Sequence, residues 1–169
     1  AEGLSPVFDT CEVAQASGQS NVAFTMWGKS WKRATSADSE VTNYQLRFTA
    51  AGGTITWETF TPSTPSEAIS LTNYAGTAIR AGGSGAFIIT LTSGVNAFSQ
   101  PVTFTWPVVA TIPLASFGMT AGQIAAIDKV TLEVTSADSF PIDVTSDFGA
   151  MPLAAVPSAN FPFPRFLKS

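Results

Sequence analysis

A chain of 169 residues is about one domain's worth, long enough to bury a core without metal or disulfide staples. It is 45% hydrophobic and 11% aromatic but only 12% charged, about half the charged share usual in a soluble domain, so its exterior must be largely Thr, Ser, Ala, Gln and Asn, a covering suited to surfaces that meet neighbours. A net charge of −4 provides no basic face for nucleic acid, no apolar run reaches the length of a membrane span, and the absence of His excludes every imidazole base and every His-ligated metal site.

Residues 1–20 are weakly periodic and contain Gly3, Pro6 and Gly18, which predicts an N-terminal arm or edge strand. The start at Ala1 fits either removal of an initiator Met or cleavage of a secretory signal. Cys11 is the single cysteine, so no intramolecular disulfide can form, and it reads as a small buried hydrophobe rather than a nucleophile. From residue 21 a period of two takes over, the mark of half-buried strands. Val22, Phe24 and Met26 alternate with small or polar residues, as do Tyr44, Leu46 and Phe48, and then Ile55 and Trp57. Phe87-Ile88-Ile89-Thr90-Leu91 is a short apolar run expected to be buried on both faces. Val102, Phe104 and Trp106 alternate next, followed by Val130, Leu132 and Val134, and by Ile142 and Val144.

Turn signals punctuate these runs at Ala51-Gly52-Gly53, Pro62-Ser63-Thr64-Pro65, Ala81-Gly82-Gly83-Ser84-Gly85, Ser93-Gly94 and Ser139-Phe140-Pro141. The one helical signal is Thr120 through Ala126, where Thr120 and Gln123 have capping-box spacing. Strands without interleaved long helices exclude βαβ winding and predict an all-β, antiparallel two-sheet sandwich over 21–149, a jelly roll, with Greek-key immunoglobulin-like topology as the alternative. Its core is expected from Phe24, Leu46, Phe48, Ile55, Trp57, Phe87, Ile89, Leu91, Phe104, Leu132, Val134 and Val144, with Trp106 also placed inside. Thr-Ser-Ala-Asp-Ser occurs at 35–39 and 135–139, but the flanks do not match and such turns recur by their chemistry alone. From 150 onward, Pro152, Pro157, Pro162 and Pro164 forbid helix and central strand, predicting an extended C-terminal arm. Phe161, Phe163, Arg165, Phe166 and Leu167 give that arm an apolar content that needs a groove on a neighbour or on its own domain.

Chemistry-bearing groups are sparse. No phosphate-binding glycine pattern opens a helix. Asp143 and Asp147 fall on one strand face with Thr145 between them, an ordinary polar face rather than a glycosidase pair; with Asp138 they offer oxygens for Ca²⁺ but lack an EF-hand pattern. No catalytic, metal or cofactor site is therefore expected. Trp27, Lys29, Trp31, Lys32 and Arg33 form the one basic, aromatic cluster. It reads either as a contact patch for sugar, anion or partner, or as a core cap whose charges point outward.

Two resemblances follow. A short, charge-poor sandwich rich in Thr, Phe and Pro, ending in a Pro/Phe tail, resembles small viral coat or decoration subunits, which use such tails to strap neighbours. Ile112-Pro113-Leu114-Ala115-Ser116-Phe117, with Ile127 through Val134 and Ile142-Asp143-Val144, resembles the closing strands of secreted carbohydrate-binding-like β-sandwiches, which implies the jelly roll more than sugar binding. The expectation is a non-enzymatic structural subunit, a virion capsid, coat or decoration protein, whose partners are copies of itself or other structural subunits. The alternatives are a secreted glycan-binding module and a subunit of an extracellular filament, located outside the cell or at its surface.

Overall fold

The computed structural model describes residues 9, 11–19, 22–26, 29–42, 44–59, 68–72, 74–108, 110–145 and 149–152, and the structural statements below refer to these. One layer is a six-stranded sheet. In spatial order it runs β1 (Val22–Met26), β2 (Lys29–Thr35), β5 (Thr54–Thr59), β10 (Lys129–Ala137), β7 (Ser84–Ser93) and β8 (Asn96–Thr105). The facing layer has two three-stranded pieces. One is β3 (Ser39–Thr42), β4 (Gln45–Phe48) and β11 (Ile142–Thr145); the other is β9 (Ala110–Pro113), β6 (Tyr74–Ile79) and β12 (Gly149–Pro152). A bridge between Ala81 and Val144 joins them.

Every pairing is antiparallel, and the registers reveal how the chain winds. Phe48 lies opposite Ile142 in one layer, and Trp57 lies opposite Val130 in the other. Residues 45–59 and 129–145 thus form one two-stranded ribbon that crosses from layer to layer. Residues 74–93 run along the other side of the same returning segment, with Ala78 opposite Gly149 and Gly85 opposite Ala137. A ribbon wrapped through both sheets is jelly-roll winding, and the all-β sandwich expected from the sequence is what forms.

Alternation decides the faces. Ile55 and Trp57 of β5, Val130, Leu132 and Val134 of β10, and Phe87, Ile89 and Leu91 of β7 all turn inward and are buried. Leu46, Phe48 and Val144 meet them from the facing layer. Phe87 is the keystone of this contact. Its ring is 5.6 Å from Phe48 across the sandwich in an edge-on pair and 4.5 Å from Phe104 on the neighbouring strand. Of the expected core, Phe24 alone has a side chain outside the described set.

Three expectations need correction. Residues 87–91 are not buried on both faces: Ile88 and Thr90 are half-buried on the solvent side, because the second layer covers only one face of this sheet. Tyr44 is not in a strand. It sits in the turn between β3 and β4 with φ 64° and is exposed, so the alternation begins at Gln45. The first residues assigned to the C-terminal arm belong to the fold, since Ala150, Met151 and Pro152 continue β12 against β6, with a register shift at Pro152, where no backbone N–H is available. The rest of that arm, including Phe161, Phe163, Arg165, Phe166 and Leu167, lies outside the described residues. The short helix Ala121–Ile124 carries the expected capping box: Gln123 N–H donates to the Thr120 hydroxyl (3.2 Å), and Thr120 N–H donates to Gln123 Oε1 (2.9 Å).

Gly85 is held by packing rather than by backbone conformation. A Cβ there would lie 2.2 Å from the Ser136 carbonyl oxygen and 2.8 Å from Ala137 Cα, beside the bulge in β10 between Val134 and Ser136. Gly85→Ala is therefore expected to destabilise the fold by about 1–3 kcal/mol, read as a lower urea midpoint. Gly122→Ala, in the helix with its nearest atom 4.0 Å away, should leave the midpoint unchanged or raise it.

Candidate functional site

The basic, aromatic cluster is divided by the pleat of β2. Trp31 and Arg33 point into the molecule and are 0% exposed, while Lys32 between them faces solvent, 3.9 Å from Glu58 on the adjoining strand. Trp31 and Arg33 therefore form no part of a surface patch. Lys29 lies in β2 with its side chain outside the described set, and Trp27 lies outside the described residues.

Arg33 is buried for a structural purpose. Its guanidinium pairs with the Asp9 carboxylate, donates from Nε to Gln15 Oε1 (2.6 Å) and donates from Nη2 to the Val13 carbonyl. Asp9 also accepts from Trp57 Nε1–H (3.0 Å) and from Cys11 N–H (2.8 Å). Gln15 returns a bond from Nε2 to the Arg33 carbonyl (2.8 Å) and makes a backbone bridge to Val41. This network ties the N-terminal segment to the inner face of the six-stranded sheet. Burial, reinforced by the Asp9 carboxylate, pushes the Cys11 thiol far above its ordinary range. It stays protonated and inert, as a buried cysteine does.

Asp143 shares an arginine with another described carboxylate, Glu40. It forms a row across β3, β4 and β11 in which Arg47 Nε lies 3.9 Å from both Glu40 and Asp143. Asp147 is outside the described residues. Asp138 is placed by a backbone bond from its N–H to the Ser84 carbonyl (3.0 Å).

The feature that sequence periodicity missed is at one side of the sandwich. There β8, the edge of the first layer, and β9, an edge of the second, run beside each other without pairing. Between them is a cleft of about 350 Å³. Gln100 and Thr103 on β8, with Thr111 and Ser116 on and after β9, give it hydroxyl and amide groups; Pro101 and Pro113 give it flat apolar walls. No charged residue lines it. The loop joining the two walls carries Trp106, which is 54% exposed, and Val108, which is 44% exposed. Trp106 was expected inside because it continues the alternation of Val102 and Phe104. The strand ends one residue earlier: Val108 N–H donates to the Thr105 carbonyl (2.7 Å), turning the chain, while Trp106 N–H donates to the Gly83 carbonyl (2.9 Å). One sequence signal was available. From Ala81 to Ile127 no Asp, Glu, Lys or Arg occurs, and this stretch builds β7, β8, β9 and the whole cleft.

No protein-family model matches the chain, and no curated protein is significantly similar to it. Among solved structures, the chain is similar to one described as "Crystal Structure of Family 30 Carbohydrate Binding Module", with 15% sequence identity and a TM-score of 0.42, over 98% of this chain and 93% of that one. Nothing about ligands follows from a likeness at that level.

Proposed function

We propose that this chain is a non-catalytic binding module that takes a neutral glycan in the cleft between β8 and β9. The observation that carries the reading is this groove, shallow and open to solvent, whose lining among the described residues is uncharged. A sugar offers hydroxyls that both donate and accept, and apolar C–H faces. Thr and Ser hydroxyls and the Gln100 amide answer the first, and the prolines answer the second. Charged ligands such as phosphates find no counter-charge there. Glycoside hydrolysis needs two carboxyl groups flanking the bond, and no carboxylate lines the cleft, which supports binding without turnover.

The test is a titration of the full chain with cellohexaose, mannohexaose and xylohexaose by calorimetry. Gln100→Ala and Thr111→Val are each expected to weaken binding of the preferred oligosaccharide about fivefold, the scale of one lost hydrogen bond. Their thermal unfolding should match wild type, because both residues sit at the rim of the sandwich. Absence of saturable binding to any neutral oligosaccharide would overturn the reading.

A second reading is favoured by the same charge-free side, because subunit interfaces deplete charge at their centres. On it, the chain is a structural subunit that assembles with copies of itself, as a virion coat or decoration protein or an extracellular filament subunit would. Light scattering across a concentration series separates the two: growth into a defined oligomer supports assembly, and a persistent monomer supports the module.

A further inference from the structure

One edge of the six-stranded sheet is β8, a strand of 10 residues whose neighbour in that sheet is β7. Its register fixes which of its backbone groups face outward. Gly94 and Val95 form the turn that joins Ser93 to Asn96, so these two close the hairpin as a hydrogen-bonded pair. The ladder to β7 then uses every second residue after Asn96: Phe98, Gln100, Val102 and Phe104. The amides and carbonyls of Ala97, Ser99, Thr103 and Thr105 point away from the sheet. Pro101, which has no N–H to give, falls at an outward position, as a proline in an edge strand must. The Thr90 and Ser99 hydroxyls lie 2.7 Å apart, the close approach of a pair without ladder bonds. The Thr105 carbonyl accepts from Val108 on the free side. Among the described residues, the outward groups of Ala97 and Ser99 have no backbone partner.

We propose that this edge joins two copies of the chain, β8 against β8, antiparallel about a twofold axis at Phe98. The proposal supplies the contact for the assembly reading and rests on it; the cleft lies toward the other end of the strand and meets the paired segment at Gln100. In that register Ala97 of each copy faces Ser99 of the other, and the amide and carbonyl of both residues find their complements. Phe98 is half-buried against its own core. It meets its counterpart as a directly opposed pair without ladder bonds, the kind in which side chains stand closest. Sliding the copies further along is opposed by Pro101, whose ring stands where an N–H is required, and by the turn that already occupies the Thr105 carbonyl. Charge selects a second copy as the occupant. The molecule carries a net −4, so its copies repel, yet no Asp, Glu, Lys or Arg occurs from Ala81 to Ile127, the stretch that contains β7 and β8. Asp128 is bound on the β10 side of the hairpin, accepting from Gly94 N–H (3.1 Å). Sheet edges are ordinarily guarded by charged side chains. Here the guard is Pro101, and it leaves residues 96–100 open.

The test is light scattering of the full chain over a concentration series, with amide hydrogen exchange read residue by residue. Wild type is expected to pass from monomer to dimer, and the Ala97 and Ser99 amides to become protected as it does. Ser99→Pro removes an outward donor without touching the ladder to β7, and should weaken the dimer by more than about tenfold, the scale of two lost backbone hydrogen bonds. Ala97→Lys, at an exposed position, sets two like charges across the same short contact and should also weaken it, so the outcome does not hang on how a new proline is tolerated. Pro101→Thr restores the missing donor and should strengthen the dimer. If wild type is monomeric at every concentration, this proposal and the assembly reading are both overturned. If it self-associates and both Ser99→Pro and Ala97→Lys do so equally well, the edge is wrong and the assembly reading stands. Growth past a dimer would show that β8 meets a different edge, which overturns the twofold.

Discussion

Replacing Arg33 by Met is expected to destabilise the protein by about 3–5 kcal/mol, measured as a fall in the urea unfolding free energy. The side chain is fully buried and engages Asp9, Gln15 and Val13 at once. Removing it leaves the Asp9 carboxylate in the interior with Trp57 and Cys11 as its donors among the described residues. A buried charge that loses its partner costs more than the pair contributes. Arg33→Lys should recover little of the loss, since a single ammonium cannot reproduce the planar fork that reaches three acceptors in different directions. Pairing Arg33→Met with Asp9→Leu should recover part of it by removing the orphaned charge, while the loss of the Asp9 acceptor for the Trp57 and Cys11 N–H groups holds the double variant below wild type. If the single and double variants are equally unstable, Asp9 and Arg33 do not act as a pair.

Phe87→Ala is the second substitution with a large expected cost, also about 3–5 kcal/mol, because a fully buried ring is removed and the surroundings collapse only partly into the space. Its contacts make the loss more than local. Phe48 belongs to the second layer and Phe104 to the edge strand beside it, so one side chain fastens both layers and the outermost hairpin. Phe87→Leu should recover much of the stability, since most of the volume remains. A loss below about 1 kcal/mol in Phe87→Ala, by the same urea titration, would contradict this placement.

The faces of the strands were legible because a period of two leaves little freedom once one side must be dry, and Leu46, Phe48, Trp57, Leu132 and Val134 follow it without exception. The capping box was legible because Thr120 and Gln123 satisfy each other within one turn. Arg33 was not. A charge in a strand reads as solvent-facing, and the residue that reverses this, Asp9, is distant in sequence and itself lies outside any strand. Trp106 failed in the opposite direction: periodicity continued past the point where the hydrogen-bonded strand stopped, and the turn that stopped it depends on the Gly83 carbonyl of another loop. Strand order was out of reach for the same reason. It is written in pairings such as Trp57 with Val130, which no local window contains. The site lies between two strands that do not pair, so no periodic signal marks it; only the missing charges between Arg80 and Asp128 did.

The central place of β10 bears on how the chain is made. This strand lies between β5 and β7 and completes both, yet it is synthesised after either of them. Until Lys129–Ala137 emerges, the growing chain holds two strand edges with nothing beside them, followed by a stretch with no charge to repel another copy. Unpaired edges and uncharged apolar segments are what nascent chains aggregate through. The neutrality of this stretch in the finished molecule is thus a hazard for the unfinished one. For the β5 edge that exposure lasts while residues 60–137 are added.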